Sequence, residues 1–399
     1  MNPLLAVDEA QARLLDGVAP LPSETVPFAA ALGRILAADV VAKLTQPPFA
    51  ASAMDGYAIR WADRAGPWRL TGESAAGRAF DGTVGPGDTV RILTGAPLPA
   101  GADTVVVQED VARDAETVTL TGDGPPREGA HIRRAGLDFA AGQPVARAGD
   151  RVTPARIGVS AAAGRAALPV HRRPRVAILA TGDELVPPGI APGPSQIVSS
   201  NGVMLAALLG KYAEVIDGGI VADTREALAA AFSAHDVDVL VTIGGASVGD
   251  HDLVQPVLRE MGATIDFWRI ALRPGKPMLA GMLGATRVVG LPGNPVSAFV
   301  CATLFVVPLL RALGGDRDPL PRSVPVRLGV DLDANGPRRD YLRARLTEGV
   351  VAPASAQDSA MLRVLADSNV LIIREPFADA AKTGTMVECI VLDTISGVA

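Results

Sequence analysis

Between Arg175 and Leu313 one texture repeats: a short apolar run, a polar loop rich in glycine, then an apolar segment with helical period. This alternation constrains the fold more than any other feature of the chain. Strands joined by helical crossovers run parallel, and a parallel sheet needs helices on both faces. Such strands are buried on both sides and read as continuous apolar runs. VAILATGDEL, AEVIDGGIV, VDVLVTIGG and ATIDFWRIAL fit that description. Asn201 and Thr224 stand where helix caps belong, ahead of GVMLAALLGKY and REALAAAF. Pro256 confines itself to the first turn of a helix over 253–261. The reading is a doubly wound α/β domain.

Its polar residues recur at one kind of place, just after a strand. Thr181, Gly182, Asp183 and Glu184 follow the first strand, and Asp223 follows a later one. The stretch VLVTIGGASVGDHD runs from a buried strand into a loop carrying Ser247, Gly249, Asp250 and Asp252. Arg273 and Lys276 lie in RPGKP, and Pro292, Gly293, Asn294 and Pro295 in LPGNP. In a parallel sheet these strand ends share one edge, where open α/β sheets place their ligands. Small residues let backbone N–H groups approach an anion.

In LPGNP, Gly293 permits a tight turn, Asn294 is a candidate cap and Pro295 suits the first helical position. The helix start offers an anion site. Arg273 and Lys276 would supply full positive charge. Glu184, Asp223 and Asp252 would repel the same anion unless a divalent cation lay between them. A phosphate ligand with Mg²⁺ reconciles the two sets, with those three acids as metal candidates. No Walker A motif, GxGxxG fingerprint or Ser-His-Asp arrangement is apparent. The chemistry expected is positioning and electrostatic stabilisation.

Bulk properties narrow the class. A chain of 399 residues implies two to four domains. The net charge of −6 and 4% aromatic content argue against a nucleic-acid partner. The two cysteines, Cys301 and Cys389, read as buried thiols, and the four histidines are scattered. The longest apolar segment, 296–310, reads as too short for a bilayer span. A cytoplasmic protein with no membrane contact is expected.

Helical texture is expected over 4–18 and over 30–43, where Leu32, Ile35, Leu36 and Val40 would share a face, and again over 142–172. From Thr45 to Gly142 the chain reads as short strands with Gly and Pro turns. Three stretches there are more polar than turns require: SAMDGYA with Asp55, TGAPLPAGAD with Thr94, and HIRRAGLD with Arg133, Arg134 and Asp138. Singly, each also reads as turn chemistry. The last 75 or so residues read as β again. The division expected is a discontinuous helical domain (1–44 with 143–173), an inserted β domain (45–142), an α/β domain (174–321) and a C-terminal β domain (322–399).

PPFAASAMDGYA, TGAPLPAGADTVV, HIRRAGLD, TGDEL, GGASVGDHD, LRPGKP and GLPGNP stand in this order along nearly the whole chain. Together they resemble the MoeA family, the molybdopterin molybdenumtransferases that include the gephyrin E domain. The resemblance implies an α/β domain like the molybdopterin adenylyltransferases and a homodimer with its site between subunits. It implies adenylylated molybdopterin and molybdate as substrates, Mg²⁺ assistance and release of AMP. By resemblance Asp55, Thr94, Glu184, Asp223 and Asp252 are the catalytic candidates. Arg133, Arg134, Asp138, Ser247, Gly249, Arg273, Lys276, Pro292, Gly293, Asn294, Pro295 and, more loosely, Ser359 are the substrate-binding ones. Partners implied are a molybdopterin adenylyltransferase and proteins that mature molybdoenzymes. The chain departs from the common wording at Ala246, where Val is usual, and at Arg273, where Lys is frequent. Two other readings stay open: an adenylyltransferase using only the α/β module, and a non-catalytic molybdopterin-binding scaffold.

Overall fold

The computed structural model describes residues 4–245 and 253–392. The chain forms two compact units. One comprises residues 1–24 with 171–399, and the other residues 25–170.

The first unit opens with helix α1 (Val7–Leu15), which buries Val7, Ala10, Gln11 and Leu14. The second unit follows in the chain. Its strands include β1 (Ala51–Ser52), β2 (Gly56–Ile59), β3 (Trp68–Ser74), β4 (Asp88–Ile92), β5 (Thr104–Val107), β6 (Val111–Asp114), β7 (Thr117–Leu120) and β8 (Ile132–Arg133). Six of them form one sheet in the order β5-β2-β4-β3-β7-β6. Tyr57, Ile59, Trp68, Val106 and Val118 pack on one another as one of its apolar clusters.

Helical texture misleads in this unit. Over 30–43 there is one helical turn, Phe28–Ala31, and then a two-residue strand, Val40–Val41, paired with Pro144–Ala146. Gly33 takes a φ of +78°, a left-handed conformation that breaks a helix. Leu36 and Val40 are buried nonetheless, against Val152, Leu168 and Val170, from extended chain and turns. Over 142–172 the helix is confined to α2 (Pro154–Ala162), where the Thr153 hydroxyl accepts the Arg156 N–H at 3.2 Å.

After residue 171 the first unit resumes with β9 (Arg175–Thr181), α3 (Asn201–Leu209), β10 (Glu214–Val221), α4 (Arg225–Ser233), β11 (Val239–Ile243), α5 (Val254–Glu260) and β12 (Thr264–Arg269). The strands β13 (Leu272–Arg273), β14 (Pro277–Leu283) and β15 (Thr286–Leu291) follow. The sheet order is β10-β9-β11-β15-β14-β12. Strands β10, β9, β11 and β15 are parallel, whereas β14 is antiparallel to both β15 and β12. Two reversals restore direction, so β12 ends on the same edge as the parallel strands. The expected convergence of loops therefore holds in a sheet that is mixed rather than all-parallel.

Helix α6 (Pro295–Leu313) is 19 residues long. Its length and composition would cross a bilayer, contrary to the sequence reading, yet its most apolar window is 78% buried inside the protein. It is a core helix. Pro308 interrupts its hydrogen bonding, because proline has no N–H for the carbonyl four residues back. The helix widens into a π turn at Ala302–Val306. The orphaned carbonyl of Leu304 instead accepts the buried Gln11 side-chain amide of α1 at 2.9 Å. Gln11→Leu would strand that carbonyl in the core. It is expected to destabilise the unit by about 1–3 kcal/mol in urea unfolding. An unchanged midpoint would show that the carbonyl finds another donor.

The chain ends in β16 (Ser323–Leu328), β17 (Arg339–Thr347), β18 (Val350–Pro353), β19 (Val370–Arg374) and β20 (Met386–Val391). They follow the order β17-β18-β16-β20-β19, and β19 pairs again with β17, closing a five-stranded barrel. Strand β13 adds to β17 in parallel. Tyr341, Leu371 and Ile390 of the barrel share the core cluster that contains α1, α6 and the sheet. Both cysteines are buried and free.

Candidate active site

Strand ends of the mixed sheet and loops of the barrel enclose an open cleft of about 770 Å³. Glu184, Arg273, Lys276, Asn294 and Ser297 line it from the α/β layer, and Arg338 and Ser359 from the barrel. Pro292 and Gly293 lie on its wall, whereas Pro295 borders a smaller adjoining pocket of about 120 Å³. Ser247, Gly249, Asp250 and Asp252 fall outside the described residues.

Local sequence explains the shape of the edge. Gly244, directly after β11, has a φ of +92°, and a Cβ there would lie 2.8 Å from the Thr181 carbonyl oxygen. Only glycine lets β11 end so close to β9. The Asn201 side-chain amide donates to the Gly293 carbonyl at 2.7 Å and fixes the LPGNP turn. Pro295 takes the first helical position as expected. Asn294 occupies the cap position but makes no side-chain cap hydrogen bond. The Val296 N–H instead donates to the Ser359 carbonyl at 3.1 Å. That bond brings Ser359 of the barrel to the start of α6.

Acids gather on the other side of the edge. Asp223 donates its backbone N–H to the Asp183 carboxylate at 3.1 Å. Partial burial, with Asp183 and Glu184 nearby, pushes the Asp223 carboxyl above its ordinary value. No set of three His, Cys, Asp or Glu side chains among the described residues closes to metal-ligating distance. Mg²⁺ commonly takes one or two carboxylates plus ligand phosphates, so this oxygen-rich, self-repelling group fits it. Raised in the folded state, the Asp223 carboxyl favours folding below its unfolded pKa, and that contribution is lost as pH rises through the folded value. Asp223→Asn is therefore expected to raise the melting temperature in Mg²⁺-free buffer at pH 7.5 and to shrink stabilisation by added Mg²⁺. A larger Mg²⁺ response in the variant would show that Asp223 holds no cation.

Three consecutive residues of the barrel, which sequence reading missed, do separate work. Arg338 lines the cleft. Arg339 pairs in a fork with Asp8 of α1 at 2.6 and 3.0 Å and also reaches Glu375 at 2.8 Å. Hydrogen bonds from Arg339 hold the Asp8 carboxyl below its ordinary value. Asp340 is 2% exposed and holds the Arg273 guanidinium. Arg273 is thus partly neutralised rather than a free charge for an anion. Behind them, fully buried Arg343 donates through Nε and Nη2 to the Gln357 side-chain oxygen at 3.1 and 2.9 Å and through Nη1 to the Asp358 carbonyl at 2.8 Å. Gln357 returns a bond to the Arg343 carbonyl at 2.9 Å. This lock sets the 357–359 loop that forms the barrel side of the cleft.

In the second unit the Thr94 N–H and hydroxyl both donate to one Asp55 oxygen at 2.7 Å. These bonds hold the Asp55 carboxyl below its ordinary value. Strand β8 pairs with β1 in the register Arg133↔Ala51, which places HIRR beside the SAMDG turn. Arg133, Arg134 and Asp138 are exposed there. Among the described residues no ion pair joins them.

Profiles of three regions cover most of the chain. Residues 5–164 match the MoeA N-terminal region (domain I and II), 177–312 the probable molybdopterin binding domain, and 325–392 the MoeA C-terminal region (domain IV). The chain is 38% identical over 365 residues to molybdopterin molybdenumtransferase 2 of Mycobacterium tuberculosis, covering 87% of this chain and 90% of that protein.

The chain belongs to the MoeA family.

A molybdopterin molybdenumtransferase of Haemophilus influenzae is 37% identical over 321 residues, 79% of each chain. A crystal structure of the molybdopterin biosynthesis MoeA protein from Pyrococcus horikoshii superposes with a TM-score of 0.84 at 26% identity, covering 98% of this chain and 100% of that one. The MoeA match spans both walls of the cleft. Its LRPGKP and LPGNP loops lie within the molybdopterin-binding region, and Arg338, Asp340, Arg343 and Ser359 within the C-terminal region.

Proposed function

We propose that this chain is a molybdopterin molybdenumtransferase: it takes adenylylated molybdopterin and molybdate, cleaves the phosphoanhydride, releases AMP and leaves molybdenum on the dithiolene. One observation carries the reading: a cationic wall and an acidic group meet at one sheet edge, in a chain whose relatives bear that activity's name. The wall of Lys276, Arg338 and Ser297 with the start of α6 suits a tetrahedral oxyanion. Glu184 and Asp223, with Asp252 of the GGASVGDHD stretch, are the proposed holders of Mg²⁺. Bound there, the ion would offset charge on the phosphates. The protein's own part is to orient both anions and to stabilise charge that develops on the leaving phosphate.

The proposed assembly is a cytoplasmic homodimer in which Asp55, Thr94 and Asp138 of a second subunit, with Arg133 and Arg134, complete the cleft. The Asp55–Thr94 pair supports this, since it presents a fixed, ionised carboxylate on a surface with no other evident use. The four-part division of the chain expected from sequence belongs to the same reading. Donors and acceptors of the pterin would be an adenylyltransferase and the proteins that mature molybdoenzymes.

The test is AMP release from adenylylated molybdopterin in Mg²⁺, with and without molybdate. Release that requires molybdate is expected. Formation of adenylylated pterin from molybdopterin and MgATP, with no response to molybdate, would replace this reading with adenylyl transfer. No turnover in either assay would favour a binding scaffold.

A further inference from the structure

We infer that Asp340 is a positioning residue that clamps Arg273 from behind the cleft wall, so that the guanidinium bridges a buried carboxylate and the bound oxyanion. The inference rests on the reading of this cleft as an oxyanion site.

The surface pairs Arg13–Glu9, Arg78–Glu73 and Arg225–Glu260 meet through one nitrogen with both side chains exposed, whereas Asp340 is buried. Arg339 with Asp8, and Arg172 with Asp238, form two-nitrogen forks. Arg273 meets Asp340 through Nη2 alone. Among the described residues the second Asp340 oxygen is buried without a hydrogen-bond partner. Burying a carboxylate with one oxygen unsatisfied is unfavourable, and a structural pair would be expected to close the fork. The Arg273 side chain is 54% exposed and lines the cleft, so its remaining N–H groups are available on the cleft side. The backbone fixes the arrangement: β13 runs parallel to β17 in the register Leu272↔Arg339 and Arg273↔Asp340. Arginine, with donors in a planar fork, can serve Asp340 and an anion together, whereas one ammonium is largely consumed by either.

The charge count follows. Arg273 and Asp340 cancel, leaving Lys276 and Arg338 against Glu184 and Asp358 on the cleft wall. Asp340 therefore holds Arg273 in place while weakening the field it exerts. An anion here is selected by hydrogen-bond geometry more than by net charge.

The test measures binding of inorganic molybdate and sulfate by calorimetry, alongside AMP release, for the full chain. Asp340→Asn keeps an acceptor for Arg273 and removes the charge. It is expected to tighten binding of both anions about tenfold, the scale of one charge removed from a half-solvated wall. The molybdate KM should fall while kcat also falls, because Arg273 is no longer rigidly held. A purely structural role would lower the melting temperature and leave affinity unchanged or weaker, and that result overturns the inference. Should Asp340→Asn fail to fold, Arg273→Lys decides: anion binding about tenfold weaker at an unchanged melting temperature is expected, and unaltered affinity refutes the bridge. If wild-type protein binds anions and responds to Asp340→Asn but never releases AMP, the clamp stands and the proposed activity fails. If AMP is released and affinity does not respond, the reverse holds.

Discussion

Arg343→Met is expected to destabilise the first unit by about 3–5 kcal/mol, because three charge-assisted hydrogen bonds to part-buried acceptors are lost at once. Arg343 is fully buried, and desolvation works against its charge, with only the nearby Asp358 offsetting it. On that count alone removing the cation would be favourable, as when buried charges give way to apolar side chains. The hydrogen bonds decide otherwise. Gln357 Oε1 takes the Arg343 backbone N–H and two guanidinium nitrogens, and the Asp358 carbonyl takes the third. Methionine fills the space but leaves the Asp358 carbonyl without its donor and Gln357 Oε1 with the backbone N–H alone. The 357–359 loop should come away from the barrel, and Ser359 with it, removing the carbonyl that receives the Val296 N–H. Differential scanning calorimetry should show a transition lowered by about 10 °C, and molybdate binding should weaken in parallel. Arg343→Lys should recover little, since one ammonium cannot match the fork. A lysine variant that melts like the wild type would refute the geometric account.

How far this site could be read in advance depended on whether its residues interact locally. Lys276 and Gly293 were visible because they directly follow strand-like runs, and strand ends converge whatever the details of the sheet. The reversal at β14 left that inference intact, since β12 regains the common direction. Arg338, Asp340, Arg343 and Gln357 were invisible for the opposite reason. PRRDYLRARL reads as an amphipathic strand with solvated charges, and each partner lies far off in sequence: Asp8, Arg273, Gln357. Nothing in a strand's alternation distinguishes an arginine facing water from one locked in a core. The false helix over 30–43 has a related cause. Leu36 and Val40 are four apart and both buried, but Gly33 and an extended segment produce that spacing without a helix. Asp55 and Thr94 formed a third case. Each looked like turn chemistry alone, and only their hydrogen bonds reveal a single fixed carboxylate.

Gly275→Ala should produce the second large effect, and its cause is backbone rather than charge. Gly275 sits between Arg273 and Lys276 with a φ of +112°, beyond the left-handed well that other residues tolerate. A Cβ there would lie 2.6 Å from Cys301 Sγ, and Cys301 is fully buried in α6 with no room to retreat. Strain and overpacking each contribute about 1–3 kcal/mol, so a loss of about 2–6 kcal/mol is expected. The loop can escape only by moving, and any movement shifts Lys276 on the cleft wall. Molybdate affinity should therefore drop by more than an order of magnitude, as when a charge-assisted contact is lost. The two causes separate in a double variant. Gly275→Ala with Cys301→Ala removes the sulfur, so the contact disappears and the φ strain remains. Partial recovery of the melting temperature with continued loss of anion affinity is the expected outcome. Full recovery of both would assign Gly275 to packing alone and leave the loop conformation without a role. No recovery of either would mean that backbone strain dominates and that the close approach to Cys301 is incidental.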